Sequence, residues 1–100
     1  MRKQISILSD TYPADTRGLI ESRLDSMHLF GNRLDTVTAR LVRDHESHAI
    51  ELVAGAGRDG TLVARSKTTN LMQALDEAID RLTAQLRKLH DRRVDRHRGH

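Results

Sequence analysis

Apolar residues recur along this chain at two different periods, and the places where the period changes mark out six elements. In "QISIL", Ile5 and Ile7 alternate with polar neighbours, the period of a half-buried first strand. Thr16, Ile20, Leu24 and Met27 then fall on one stripe at helical spacing. Pro13 pre-sets the first turn of that helix, and Asp15 offers an acceptor to its open N–H groups. Gly18 weakens it by up to ~1 kcal/mol relative to Ala, and Gly31 and Asn32 in "FGNR" end it with residues that accept a left-handed cap. "LDTVTARLV" returns to a period of two, with Val37, Ala39 and Leu41 on one face and Thr38 and Arg40 on the other. After the turn "RDHESH", the stretches "HAIELVA" and "TLVARSK" alternate in the same way.

The last element is the most sharply patterned. Asn70 reads as an N-cap with Gln73 three residues on, in the manner of a capping box. Leu71, Leu75, Ile79, Leu82, Leu86 and Leu89 then occupy a narrow arc with Ala78 beside them. The stripe lasts under three heptads, and the strands before it need a cover, so it reads as core and not as a coiled coil. Arg81, Gln85, Lys88 and Arg92 line one flank, where Glu77 is placed to pair with Arg81 one turn away. The order β-α-β-β-β-α predicts an α+β fold: a four-stranded, antiparallel-rich sheet with both helices packed on one face.

Two short motifs invite a chemical reading. The glycines of "GAGRDG", residues 55–60, have dinucleotide-fingerprint spacing, but that fingerprint needs a helix directly after the glycine turn. A strand follows here, so the stretch reads as a hairpin turn in which glycine supplies positive φ. "HESH", residues 45–48, resembles a zinc-protease motif, but its two His are three apart in a charged loop instead of four apart on a helix. Together with Asp44 it reads as a solvated turn. No nucleophile and base, metal set or phosphate loop emerges, so the expectation is a protein with no catalytic residues, no metal and no cofactor.

Composition narrows the function further. A length of 100 residues, 37% hydrophobic and 31% charged, suits one small domain with a modest core. Residues 1–93 read as that domain, and 94–100 as a basic C-terminal tail without ordered structure. There is no Cys, no signal-like segment and no apolar run of spanning length, which leads to a cytoplasmic expectation with no membrane partner. Tyr12 and Phe30 are the only aromatics, too few for a base-stacking platform. The net charge of +3 is unevenly placed: residues 1–80 carry ten Lys/Arg against twelve Asp/Glu, and residues 81–100 carry seven against two. Such a cluster suits phosphates or an acidic surface; the alternative is a solvated helix end favoured by the C-terminal dipole.

"ALDEAIDRLTAQLRK", residues 74–88, resembles the last helix of the ribosome hibernation promoting factor and ribosome-associated inhibitor family, also called the sigma-54 modulation or S30EA family. The resemblance covers nearly the whole chain: Ile5 and Ile7 match the family's first strand, and Arg17 and Arg23 match basic positions of its first helix. The chain departs from the pattern at Asn70 and Met72, where the family has Asp and Tyr, and at Ser26, Met27 and His28, where lysines are common. What the resemblance implies is a translation inhibitor that occupies the messenger and transfer RNA sites of the small ribosomal subunit while the ribosome is stored. Taken with the C-terminal excess of cations, the resemblance leads to the expectation that Arg17, Arg23, Arg81, Lys88 and Arg92 contact ribosomal RNA phosphates. The chain resembles the short form, which implies that ribosome pairing would use a separate dimerising factor. Two other classes remain open at this point: a double-stranded-RNA-binding module, whose basic cluster at the start of the last helix is missing from "TTNLMQALDE", and a small regulatory interaction domain that does not bind ribosomes.

Overall fold

In the computed structural model the strands are β1 (Arg2–Ile7), β2 (Thr36–Asp44), β3 (Ser47–Gly55) and β4 (Thr61–Thr68), with helices α1 (Thr16–Leu24) and α2 (Leu71–Arg98). The structure describes residues 2–26 and 34–98, with side chains as far as Leu89. The element order is β-α-β-β-β-α, and the sheet order is β1-β2-β3-β4. β1 runs parallel to β2, while β2–β3 and β3–β4 are antiparallel. The single parallel pairing is the one joined through a helix, since a parallel neighbour cannot be reached by a tight turn.

One face of the sheet is covered. Val37, Ala39 and Leu41 of β2, Ile50, Leu52 and Ala54 of β3, and Ala64 of β4 are buried at alternate positions, as a period of two requires. They meet Ile20 and Leu24 of α1 and Ala74, Leu75, Ala78, Ile79, Leu82 and Leu86 of α2 in one core, with Ile5, Ile7, Leu71 and Leu89 at its margin. Leu75, Leu82 and Leu86 are each 0% exposed, so the leucine stripe is core and fixes the rotation of α2 about its axis.

The local signals divide instructively. Asn70 caps α2, its Oδ1 accepting the Gln73 N–H at 3.0 Å. The return half of the capping box does not form, because Gln73 Nε2 donates to Glu77 Oε1 instead, at 3.4 Å. The expected Glu77–Arg81 pair is also replaced: Ser66, a buried hydroxyl on β4, donates to Glu77 Oε2 at 2.8 Å, which turns that carboxylate toward the sheet. Asp15 sits at the N-cap of α1 but makes no side-chain cap bond. Its backbone is already αR (φ −80°, ψ −4°), outside the extended geometry that aims a capping oxygen at the helix N–H groups. Gly18 has open space where a Cβ would stand, so close packing does not explain it. Met27, His28, Phe30 and the Gly31–Asn32 stop lie outside the described residues. α2 keeps a helical backbone past Leu89, where its apolar stripe ends, to Arg98.

"GAGRDG" joins β3 to β4 as a hairpin connection. Gly55 closes the ladder opposite Thr61, residues 57–59 make one 3-10 turn, and the Ala56 N–H donates to Gly60 O at 2.8 Å. Gly57 (φ +57°) and Gly60 (φ +88°) occupy left-handed conformations that side chains disfavour. "HESH" spans the β2–β3 turn: His45 (φ +56°) is at its tip, whereas His48 already belongs to β3. There His48 Nδ1 and Tyr12 Oη are hydrogen-bonded at 2.6 Å, pinning the loop after β1 onto the sheet. Burial holds the His48 imidazole below its usual pKa, and the Arg43 guanidinium adds to the effect. Burial likewise raises the Tyr12 phenol, with Arg43 opposing it.

Two expectations follow from this packing. Leu82→Ala empties a site at the centre of the core and should cost roughly 2 to 5 kcal/mol by denaturant unfolding; a change below about 1 kcal/mol would mean α2 is not seated as described. His48 is depressed in the folded state, so the unfolded chain takes up its proton first as pH falls. Its stabilising contribution is therefore full above about pH 6.5 and lost as pH falls through that unfolded value toward the lower folded one. Melting temperature should decline between roughly pH 7 and 5, and His48→Gln should flatten that decline.

Candidate nucleic-acid interface

The candidate RNA-binding cations divide between two helices and two sheet edges. Arg17, on α1, donates from Nη1 to the Ile5 carbonyl at 2.6 Å. Arg81, on α2, donates from Nη1 to the Arg65 carbonyl, and Gln85, one turn on, donates from Nε2 to the Val63 carbonyl at 2.8 Å. Ile5 lies on β1 and Arg65 and Val63 on β4, the two strands with a neighbour on one side only. Both edges thus have carbonyls capped by helix side chains, which blunts a surface otherwise open to pairing with another strand.

That anchoring also fixes the distances. Arg17 and Arg81 are held at opposite edges of a four-stranded sheet, and three strand spacings put their anchor carbonyls about 14 Å apart. A guanidinium has five N–H donors, so a single main-chain bond orients each head and leaves most of its fork available to an anion. Arg23 is held differently: its Nε lies 3.7 Å from Asp76 Oδ1, an exposed ion pair linking α1 to the start of α2. Lys88 is exposed and makes no hydrogen bond or ion pair among the described residues. The Arg92 side chain lies outside the described residues. The structure therefore brings Arg81 and Lys88 together on one edge of α2 beside the buried leucines, and sets Arg17 apart from them.

The charge around α1 is mixed. Lys3 of β1 is bonded to Asp25 and lies 3.8 Å from Glu21, and its ammonium is held above its usual pKa chiefly by the Asp25 hydrogen bond. The first helix consequently presents carboxylates beside its arginines, whereas the flank of α2 from Arg81 to Lys88 carries none.

Sequence reasoning missed a second group of cations. Arg40, Arg65 and Lys67 lie on the sheet face opposite the helices, all three exposed. The period of two in "TLVARSKT" is sufficient to place them, because Arg65 and Lys67 alternate with the buried Ala64 and Ser66. Glu51 Oε2 accepts from Arg65 Nε at 2.7 Å, and Asp44 Oδ2 accepts from Lys67 Nζ at 2.5 Å. That bond to Lys67 is the main reason the Asp44 carboxyl is held below its usual pKa. Among the described residues no three His, Asp or Glu side chains gather into a metal-sized cluster, and no helix is long and apolar enough to cross a membrane.

Comparison with known proteins gives one family and a clear structural relative. Residues 11–94 match the family described as Sigma 54 modulation protein / S30EA ribosomal protein. A solved structure described as a ribosomal subunit interface protein from Coxiella burnetii superposes with a TM-score of 0.80 at 14% identity, covering 91% of this chain and 99% of that one. At that identity the likeness speaks for the fold. No curated protein matches the chain.

Proposed function

The chain belongs to the Sigma 54 modulation protein / S30EA ribosomal protein family, and from that membership we propose that it binds the small ribosomal subunit across the messenger and transfer RNA sites and blocks translation while the ribosome is stored. The observation that carries this reading is the α2 edge, where Arg81 and Lys88, the latter without a partner among the described residues, project beside a buried seam. The structural relative from Coxiella burnetii, itself described as a ribosomal subunit interface protein, agrees with a ribosomal partner.

Binding of this kind needs no covalent step. Cations at fixed separations displace condensed counterions from the RNA backbone, and the helical layer meets a folded RNA surface by shape and phosphate spacing. Tethering Arg17 and Arg81 to main-chain carbonyls reduces the side-chain freedom lost when an anion is bound. Arg23 joins this surface by exchanging its exposed pair with Asp76 for a phosphate, and Arg92 is a further candidate for an RNA phosphate. A cytoplasmic setting and a separate ribosome-dimerising factor complete the proposal.

The test is co-sedimentation with purified small subunits over a range of salt, alongside inhibition of cell-free translation. Lys88→Ala should reduce the slope of log affinity against log salt by roughly 0.7 to 0.9 without changing thermal stability. Arg81→Ala should reduce the slope similarly and also cost about 0.5–1.5 kcal/mol of stability, because it uncaps the Arg65 carbonyl. Equal binding by wild type and the double variant at every salt concentration would remove the α2 edge from the interface. Failure of the wild type to bind at all would favour a regulatory domain that does not engage ribosomes.

A further inference from the structure

On the sheet face away from the helices, β2, β3 and β4 form a shallow trough of about 480 Å³, within the range of ligand sites. Its floor is aliphatic, made by Val42 and Ala49 side by side in the β2–β3 register. Arg40, Arg65, Lys67 and Arg81 stand around it, and Glu51 lies between Arg40 and Arg65 in the cross-strand row. Even with Glu51 and Asp44 counted against them, four cations leave a positive surface. Arg40 makes no hydrogen bond or ion pair among the described residues, so it brings an unneutralised charge to the rim.

From this arrangement we infer that the trough docks an extended acidic segment of another protein, one that carries carboxylates two residues before and two residues after an aliphatic residue, so that all three side chains share one face. The spacing fits. On an extended segment such carboxylates stand about 14 Å apart, close to the roughly 12 Å diagonal from Lys67 to Arg40, two strands across and two residues along the sheet, with the aliphatic residue midway. The aliphatic residue would cover Val42 and Ala49, and Glu51 would accept a backbone N–H from the incoming segment. A single-stranded nucleic acid fits less well: the trough is lined by no aromatic ring on which a base could stack, and phosphodiesters bring only acceptors to Glu51. The two carboxylates already held on this face, Glu51 on Arg65 and Asp44 on Lys67, are the protein's own instances of the proposed contact. The site goes beyond the RNA reading, which rests on the helices.

Fluorescence anisotropy with a labelled short peptide that repeats glutamate-serine-valine-serine tests the inference, with its glutamine-for-glutamate counterpart and an oligouridine of equal length as comparisons. The glutamate peptide should bind saturably, and the glutamine peptide at least roughly tenfold more weakly, as expected when a charge-assisted bond is lost. Arg40→Glu, an exposed substitution whose folding is checked by thermal melting, should weaken the glutamate peptide by at least that factor, and Val42→Asp should do the same. Small-subunit co-sedimentation of Arg40→Glu should remain as in the wild type, which separates this site from the α2 edge. Absence of glutamate-peptide binding, or equal binding by folded Arg40→Glu, overturns the inference. Oligouridine binding that Arg40→Glu abolishes, with the peptide unbound, would instead assign the face to nucleic acid.

Discussion

The burial of the α2 leucines over β3 and β4 is the constraint on which the rest depends. With Leu75, Leu82 and Leu86 fully removed from water, the helix has one permitted rotation about its axis. Each of these side chains contributes about 1.5–3 kcal/mol by burial, far more than a surface ion pair. The core therefore decides where the cations stand. Arg81, Gln85 and Lys88 fall on the flank beside that seam, and two of the three reach the edge of β4 because the seam puts them there.

The sheet edges show the same economy from the other side. A small mixed sheet has two strands with unpaired backbone groups, and this one caps carbonyls on both with side chains from the helices that cover it. The capping residues on β1 and β4 include Arg17 and Arg81, two of the arginines proposed to contact RNA. One hydrogen bond per guanidinium thus links the integrity of the sheet to the orientation of the proposed binding surface. Among the described residues Lys88 has no such second partner, which makes it the cleaner probe of function.

Much of this is legible in the sequence, for a definite reason in each case. The α2 stripe, the strands around Val37, Ala39 and Leu41, and the hairpin at Gly57 and Gly60 rest on periodicity or on φ requirements that only a few residues meet. What is not legible depends on competition between partners distant in sequence. Helical spacing assigns Glu77 to Arg81, but a buried hydroxyl from β4 makes a stronger claim on it. Asp15 does stand immediately before α1, yet its capping role depends on backbone geometry that the sequence leaves open. The cations of the open face are written in the alternation of β4, but their convergence with Arg40 depends on strand register, which links residues 25 positions apart. The binding surface is named from resemblance together with the uneven placement of charge, and the division of Arg17 from Arg81 by the width of the sheet is visible only in three dimensions.

Whether the flank of α2 set by the leucine seam faces ribosomal RNA is decided by placing a photo-crosslinker at position 88 and, separately, at position 40, and irradiating each with purified small subunits. Crosslinks to ribosomal RNA are expected from position 88 and none from position 40. RNA crosslinks from position 40 alone would contradict this, because they would turn the molecule over and put the open sheet, not the helices, against the ribosome.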